Sequence, residues 1–159
     1  MELVDILTIG MAVAALLVSV YTYNKSVIHD RKRDTLDAYN TLQEQALDHL
    51  NYYMPAQIAE IAKDSRSDAY KKVSAYIARI EHFCVGVNQN IYDRKTVYEL
   101  AYGYLDGVIK KRIEPVIEKK NTFGHDYYAN IHQVYDWMAK ETENRKRKDL
   151  GEKRNVKVE

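Results

Sequence analysis

Hydrophobic residues crowd into the first part of this chain, where no charged side chain occurs between Ile6 and Asn24. As a helix rising about 1.5 Å per residue, that stretch reaches roughly 28 Å, close to the ~30 Å hydrocarbon core of a bilayer. The pattern predicts one membrane-spanning helix. Tyr21 and Tyr23 stand where an interfacial aromatic belt belongs, and Lys25 lies within snorkelling reach of the headgroups. Two rival readings are a buried core helix and a cleavable signal peptide. The second requires a positive leading region and small residues at the cleavage site, whereas this chain opens Met1-Glu2-Leu3-Val4-Asp5 and leaves the stretch through Tyr21 and Tyr23. A retained anchor is the expectation.

Beyond the anchor the pattern is helical throughout. Leu36, Tyr39, Leu42, Ala46, Leu47, Leu50 and Tyr53 recur at helical spacing. The anchor either continues into them as a long stalk or breaks briefly near Asn24-Lys25-Ser26. Pro55 ends this segment and suits the first turn of a short helix reaching to about Lys63. Ser65-Arg66-Ser67-Asp68 reads as a turn and N-cap. After it, Tyr70, Val73, Ile77, Ile80, Cys84 and Val87 alternate three- and four-residue steps, the seam of a packed helical hairpin.

Asn88-Gln89-Asn90 closes that helix, and either Asp93 or the capping-box spacing Thr96-Val97-Tyr98-Glu99 opens the next. The following apolar face comprises Tyr98, Ala101, Tyr102, Leu105, Val108, Ile109 and Ile113. Gly103 and Gly107 on this helix suggest a neighbour packed against its backbone. Pro115 suggests a kink or restart before Lys119-Lys120. Asn121-Thr122-Phe123-Gly124 is the next turn. A last helix is expected from about His125 to Glu143, buried through Tyr128, Ile131, Val134, Tyr135 and Met138 with Trp137 flanking. A fraying mixed-charge tail should follow, its run Arg145 to Lys148 read as solvated tail over the alternative of a lipid or nucleic-acid contact.

The fold class is therefore all-α, with a single N-terminal transmembrane helix over residues 1–24, a cytoplasmic helical bundle over 25–143 and a mixed-charge tail over 144–159. Low counts of Gly (6) and Pro (2) argue against a turn-rich sheet fold. Lys25, Arg31, Lys32 and Arg33 follow the span while no Lys or Arg precedes it, so the positive-inside rule puts the N-terminus outside and the bundle in the cytoplasm. The same four residues form a lipid-facing basic cluster, diluted by Asp30 and Asp34. Gly10 and Ala14 form a small-x-x-x-small pair suited to helix packing in lipid, and Ala15 with Ser19 repeats the spacing. Fourteen tyrosines against two phenylalanines suit helix seams near a surface, where the ring is buried and the hydroxyl finds a partner.

Chemistry is sparse. A net charge of +1 gives no general attraction to nucleic acid, and no specific nucleic-acid binding is expected. Cys84 is the one cysteine and reads as a small buried hydrophobe. His29, His49, His82, His125 and His132 form no H-E-x-x-H motif, and no Glu-x-x-His pair supplies a di-metal carboxylate site. His125 and His132 are about 10 Å apart along a helix, too far to share one ion. Neither metal nor cofactor is expected. Gly103-Tyr104-Leu105-Asp106-Gly107 falls inside a helix, so it is no nucleotide loop. The helical ribonucleases of the higher-eukaryote-and-prokaryote nucleotide-binding type separate an Arg and a His by four to six residues. Here Arg79 and His82 are separated by two.

The string from Tyr76 through Arg79, Ile80, Glu81, His82, Gly86, Asn88, Asn90, Ile91, Tyr92 and Asp93, with Val97-Tyr98-Glu99-Leu100 after it, resembles a bacterial and phage family labelled domain of unknown function 4760. The layout is similar too: an N-terminal hydrophobic helix, a basic stretch leading into Arg33 to Asn40, and an aromatic-rich helix like Tyr128 to Trp137. The resemblance runs from Asp5 to about Lys140. Its core reads as a structural corner, with Gly86 allowing close helix approach, Asn88 and Asn90 closing one helix, Asp93 capping the next and Tyr92 or Ile91 pinning the turn.

These observations lead to a membrane-anchored, non-enzymatic helical module that binds a protein partner or itself at the cytoplasmic face. By analogy of layout alone, its setting is phage exclusion or antiphage defence. Two alternatives come from other classes. One is an effector that disturbs the membrane by oligomerising through Gly10 and Ala14. The other is an unrecognised hydrolase or nuclease in which Arg79, Glu81 and His82 meet Glu99 or Asp93 in a cleft. Arg79, Glu81, His82 and Glu99 are accordingly the candidate binding residues.

Overall fold

The computed structural model describes residues 3–121 and 126–155, with side chains for 8–121 and 126–149. Among these residues there are helices and no strands. The helices are α1 (Leu3–Leu42), α2 (Asp48–Asn51), α3 (Pro55–Lys63), α4 (Asp68–Asn88), α5 (Arg94–Tyr104), α6 (Lys110–Asn121) and α7 (Ala129–Asn155). Wider π turns, Gln43–Leu47 and Leu105–Ile109, join α1 to α2 and α5 to α6 without a break.

The stalk alternative holds: no interruption occurs near Asn24-Lys25-Ser26, and one continuous rod runs from Leu3 to Asn51. Every side chain from Thr8 to Asp34 is exposed, a bare length of about 40 Å. The rod contains a window apolar enough to cross a membrane, none of it buried in the protein's own fold. That observation removes the core-helix alternative. Burial begins at Thr35 and continues through Tyr39, Leu42, Ala46, Leu47 and Leu50, while Leu36 stays largely exposed.

The π turn in this rod has a specific consequence. Ala46 and Leu47 lie side by side in this turn and are both buried in the core. Two distant side chains meet the carbonyls there. Arg79 donates to the Gln45 carbonyl at 2.8 Å, and the Tyr104 hydroxyl donates to that of Leu47 at 3.5 Å.

Around this rod, α4 packs along its lower half, with Phe83 edge-on to Tyr39 and Tyr76 stacked on His49. α5 packs on α1, α3 on α6, and α7 on α4. The α4 seam is buried as the spacing requires, from Tyr70 through Val87. Ser67 caps it, its hydroxyl accepting the Tyr70 amide at 3.1 Å. Pro55 opens α3, and the Gln57 side chain accepts the Met54 amide at 2.8 Å. Arg112 of α6 ties the far end, donating to the Tyr53 carbonyl at 3.1 Å and to Asn51 at 2.9 Å.

Three expectations are corrected. Gly103 and Gly107 face solvent, with nothing within 4 Å of a Cβ built on either, so no neighbour packs against them. The second π turn, which includes Gly107, turns Leu105 and Ile109 inward instead. The close approach at Gly86 is made by the Tyr92 ring, not by a neighbouring helix. And α7 does not stop near Glu143. It continues to Asn155, supported by Glu141–Arg145 and Glu143–Arg147 pairs at helical spacing. The turn expected over Thr122-Phe123-Gly124 and the start at His125 lie outside the described residues.

A Cβ at Gly86 would collide with the ring of Tyr92, which is itself fixed by stacking on Phe83 at 5.1 Å. Gly86→Ala should therefore destabilise the domain by about 1–3 kcal/mol, the usual cost of overpacking. Pairing it with Tyr92→Ala should recover part of that loss, as a double-mutant cycle in urea will read.

Candidate functional site

The corner between α4 and α5 is built by local chain chemistry. Gly86 offers its carbonyl to the amides of Ile91 (2.9 Å) and Tyr92 (3.3 Å), closing the C-terminus of α4. Asn90 takes the left-handed conformation this closure needs, with φ of 57°. Asp93 caps α5, its carboxylate accepting the Thr96 amide at 2.9 Å and the Thr96 hydroxyl at 2.6 Å. This decides between the two openings left by the sequence, in favour of Asp93. Burial acts to raise the Asp93 carboxyl, but the Thr96 hydrogen bonds, with Lys32 and Arg31 nearby, outweigh it and hold the group below its ordinary value. Tyr92 pins the corner; Ile91 is 56% exposed and does not.

Two longer-range contacts lock the corner in place. Thr35, fully buried, donates its hydroxyl proton to the Arg31 carbonyl at 2.7 Å and accepts the Asp93 amide at 2.8 Å. This joins the rod to the first turn of α5. On the other flank, Glu81 reaches the N-terminus of α7. Its two oxygens accept the backbone amides of Asn130 (3.1 Å) and Ile131 (2.9 Å) and the Asn130 side-chain amide (2.8 Å). A carboxylate there satisfies orphan donors and complements the helix dipole. Asn88 adds bonds to the Asn130 side chain at 2.9 Å and to Gln133 at 3.2 Å, so it bridges to α7 while Asn90 ends α4.

Between α1 and α4 lies a groove of about 370 Å³, floored by Ala38, Leu42, Ala78 and Phe83 and rimmed by Arg79 and His82. The fold thus brings Arg79 and His82 together. It does not bring Glu81 to them, because Glu81 is committed to α7. Glu99 lies exposed on α5, at 4.0 Å from Lys95. Arg79 and His82 thus share the groove, while Glu81 and Glu99 lie on other faces and bring no carboxylate to it. Cys84 is 1% exposed, and burial, then Glu81, pushes its thiol well up, so it is no nucleophile. Among the described residues no three His, Cys, Asp or Glu side chains gather as metal ligands, and His125 lies outside them. Lys25, Arg31, Lys32 and Arg33 are exposed on the bare part of the rod, as are Gly10 and Ala14.

The sequence reading missed a second cluster. Arg94 lies over Trp137 at 5.5 Å and Arg145 over Tyr98 at 4.1 Å. Tyr98 stacks on Tyr102 at 5.0 Å and bonds Thr142 at 2.8 Å. Its signal in the sequence was only an Arg-Lys pair ahead of an aromatic helix and an Arg in an apparent tail.

With this geometry in hand, comparison with known families is decisive on one point: residues 9–148 match the family described as domain of unknown function 4760 (DUF4760). The chain belongs to that family. Neither a curated protein nor a solved structure matches it. For this DUF4760 member the matched region takes in the apolar rod, the α4–α5 corner and α7 through Lys148, so all three belong to the family's layout.

Two outcomes follow for the corner. Glu81→Ala strips three acceptor contacts from the start of α7 and should cost about 1–3 kcal/mol. Hydrogen exchange at the Asn130 and Ile131 amides should quicken more than at the α3 amides. Asp93 gives a pH signature. Its folded carboxyl is depressed, so its contribution is complete above the ordinary aspartate value of about 3.9 and is lost as pH falls through the folded value. Asp93→Asn should flatten the acid limb of a stability–pH curve and leave the neutral plateau's slope unchanged.

Proposed function

We propose that this DUF4760 member is a membrane-anchored, non-enzymatic helical module that binds a protein partner, or a second copy of itself, at the cytoplasmic face. The carrying observation is the rod. Its apolar window is bare on all sides, yet the same helix runs unbroken into a buried, hydrogen-bonded seat at Thr35. A bare apolar helix of that length is stable in lipid and costly in water. The basic cluster Lys25, Arg31, Lys32 and Arg33 supports the inward placement of the bundle. The separation of Glu81 and Glu99 from the groove that Arg79 and His82 share favours binding over turnover. The exposed pair Gly10 and Ala14, with nothing within 4 Å of a Cβ at Gly10, favours self-association within lipid.

The test starts from full-length protein in native membranes. Wild type should require detergent for release, and Leu16→Arg should abolish insertion. In a Cys84→Ser background, Ala14→Cys should form a disulfide-linked dimer under mild oxidation, whereas Ala12→Cys, on the opposite side of the helix, should not. A wild-type chain that stays soluble and monomeric without detergent ends the anchored reading. An inserted chain with equal crosslinking at both positions, or none, ends self-association and leaves a different protein as the partner to be sought by pull-down from membranes.

A further inference from the structure

The cleft at the start of α5 carries chemistry the anchored reading does not use. About 280 Å³ in volume, it is lined by Arg94, Lys95, Tyr98, Trp137, Glu141 and Arg145. We propose that this cleft holds the headgroup of an anionic phospholipid from the same bilayer that holds α1, drawing the domain down onto the membrane surface. The proposal rests on the anchored reading and adds a second point of contact to it.

Position comes first. The Thr35–Asp93 hydrogen bond fixes the first turn of α5 at the end of the domain where the rod enters. From Asn24 to Thr35 the rod rises about 16 Å. The interfacial layer occupies roughly 5–7 Å of that height on one side of the bilayer. What remains is close to a Debye length, about 8 Å at physiological ionic strength. Membrane helices tilt by about 20° on average, which lowers one flank of an attached domain further.

Chemistry comes second. The Arg94 guanidinium is seated on Trp137, and its Nε donates to the Val87 carbonyl at 3.4 Å. The Arg145 guanidinium is seated on Tyr98, and its Nε donates to Glu141 at 2.9 Å. Each is held by one edge and one face, with the terminal nitrogens taking no further hydrogen bond among the described residues. That is the fork a phosphate oxygen pair accepts. Lys95 adds an ammonium that is 72% exposed. The facing carboxylates are Glu141, bonded to Arg145, and Glu99, at 4.0 Å from Lys95; Arg94 is matched by no carboxylate among the described residues. Beyond Arg145, α7 carries Lys146, Arg147 and Lys148 into solvent, with Glu143 opposite Arg147 at 4.0 Å. Trp137 and Tyr98 are the ring types that settle at the headgroup level.

The source of the phosphate follows from tethering. A chain anchored by α1 meets bilayer lipid at high effective concentration, whereas a free anion must be captured from solution.

Trp137 is the protein's one tryptophan and lies inside the cleft, so its fluorescence reads the site directly. Full-length protein is placed in nanodiscs carrying a headgroup-spin-labelled lipid, in pure phosphatidylcholine or with phosphatidylglycerol added. Quenching of Trp137 should be several-fold stronger in the anionic discs and should fall as salt is raised. Lys95→Gln, at an exposed position that leaves the fold alone, should weaken it. Arg145→Gln should weaken it further and Arg145→Lys should largely retain it. Removing charge at the far end with Lys63→Gln and Lys71→Gln should change nothing. Equal quenching in both kinds of disc, or quenching indifferent to Lys95→Gln and Arg145→Gln, overturns the site. A change in Trp137 emission produced in phosphatidylcholine discs by inorganic phosphate at millimolar level overturns the assignment to lipid. A chain that fails to enter discs at all overturns the anchored reading and this site with it, whereas an inserted but unquenched chain overturns the site alone.

Discussion

A single threonine hydroxyl stands at the place where a bare rod becomes part of a folded domain. Thr35 is fully buried in the middle of a helix, where a hydroxyl needs partners, and it finds one in its own helix and one across the fold. The Arg31 carbonyl takes its proton, as a mid-helix threonine commonly allows, and its lone pair receives the Asp93 amide. That amide belongs to the cap of α5 and would otherwise be an unpaired donor in a partly buried turn, at a cost of roughly 1–3 kcal/mol. The seat therefore couples three things: where the rod stops being exposed, where α4 turns into α5, and how α5 begins.

The same logic recurs at the other joints. At the π turn Gln43–Leu47, Arg79 and Tyr104 reach backbone carbonyls from two different helices. α7 begins with amides that Glu81 satisfies from α4. In each case a helix terminus or distortion exposes backbone groups, and a side chain remote in sequence supplies what the helix lacks. Arg79 and Glu81 stand two residues apart on α4 and serve opposite flanks of it, one toward the rod and one toward α7. These commitments hold the bundle together and remove both residues from any shared reaction centre.

Legibility in the sequence divides along the same line. What depends on periodicity was readable: the uncharged stretch before Lys25, the α4 seam from Tyr70 to Val87, the proline that opens α3 and the burial of Cys84. Caps with their partner three residues away, Ser67 and Asp93, were readable as candidates. Contacts between residues distant in sequence were not. Nothing local distinguishes Thr35 from the exposed Thr41, or marks Glu81 as the cap of a helix that begins at Ala129. The π turns left no mark either, since one extra residue per turn still permits an apolar stripe. Gly103 and Gly107 drew attention as packing sites and prove to face water, because each stands two residues, about 200° round the helix, from the buried Ala101, Leu105 or Ile109. The extent of α7 was misread because a charged run looks like a tail until its Glu–Arg pairs are placed at i,i+4.

The continuous rod also constrains how two copies can meet. Gly10 and Thr35 are twenty-five residues apart, which at about 100° per residue brings them to within roughly 20° of the same azimuth on a straight helix. The body of the domain therefore hangs beneath the face that carries Gly10 and Ala14. Two rods meeting through that face cannot run side by side down to Thr35, because α5 and the α4–α5 corner occupy the space. They can meet only where they are bare and must splay below. The right-handed crossing of about −40° typical of small-x-x-x-small pairs does this, since it concentrates contact near the crossing point and carries the ends apart. In the self-association we propose, the exposed polar segment from Lys25 to Asp34 would be the spacer, long enough for two bare rods to touch above it while the two domains, and the basic aromatic cleft on each, stay clear of one another.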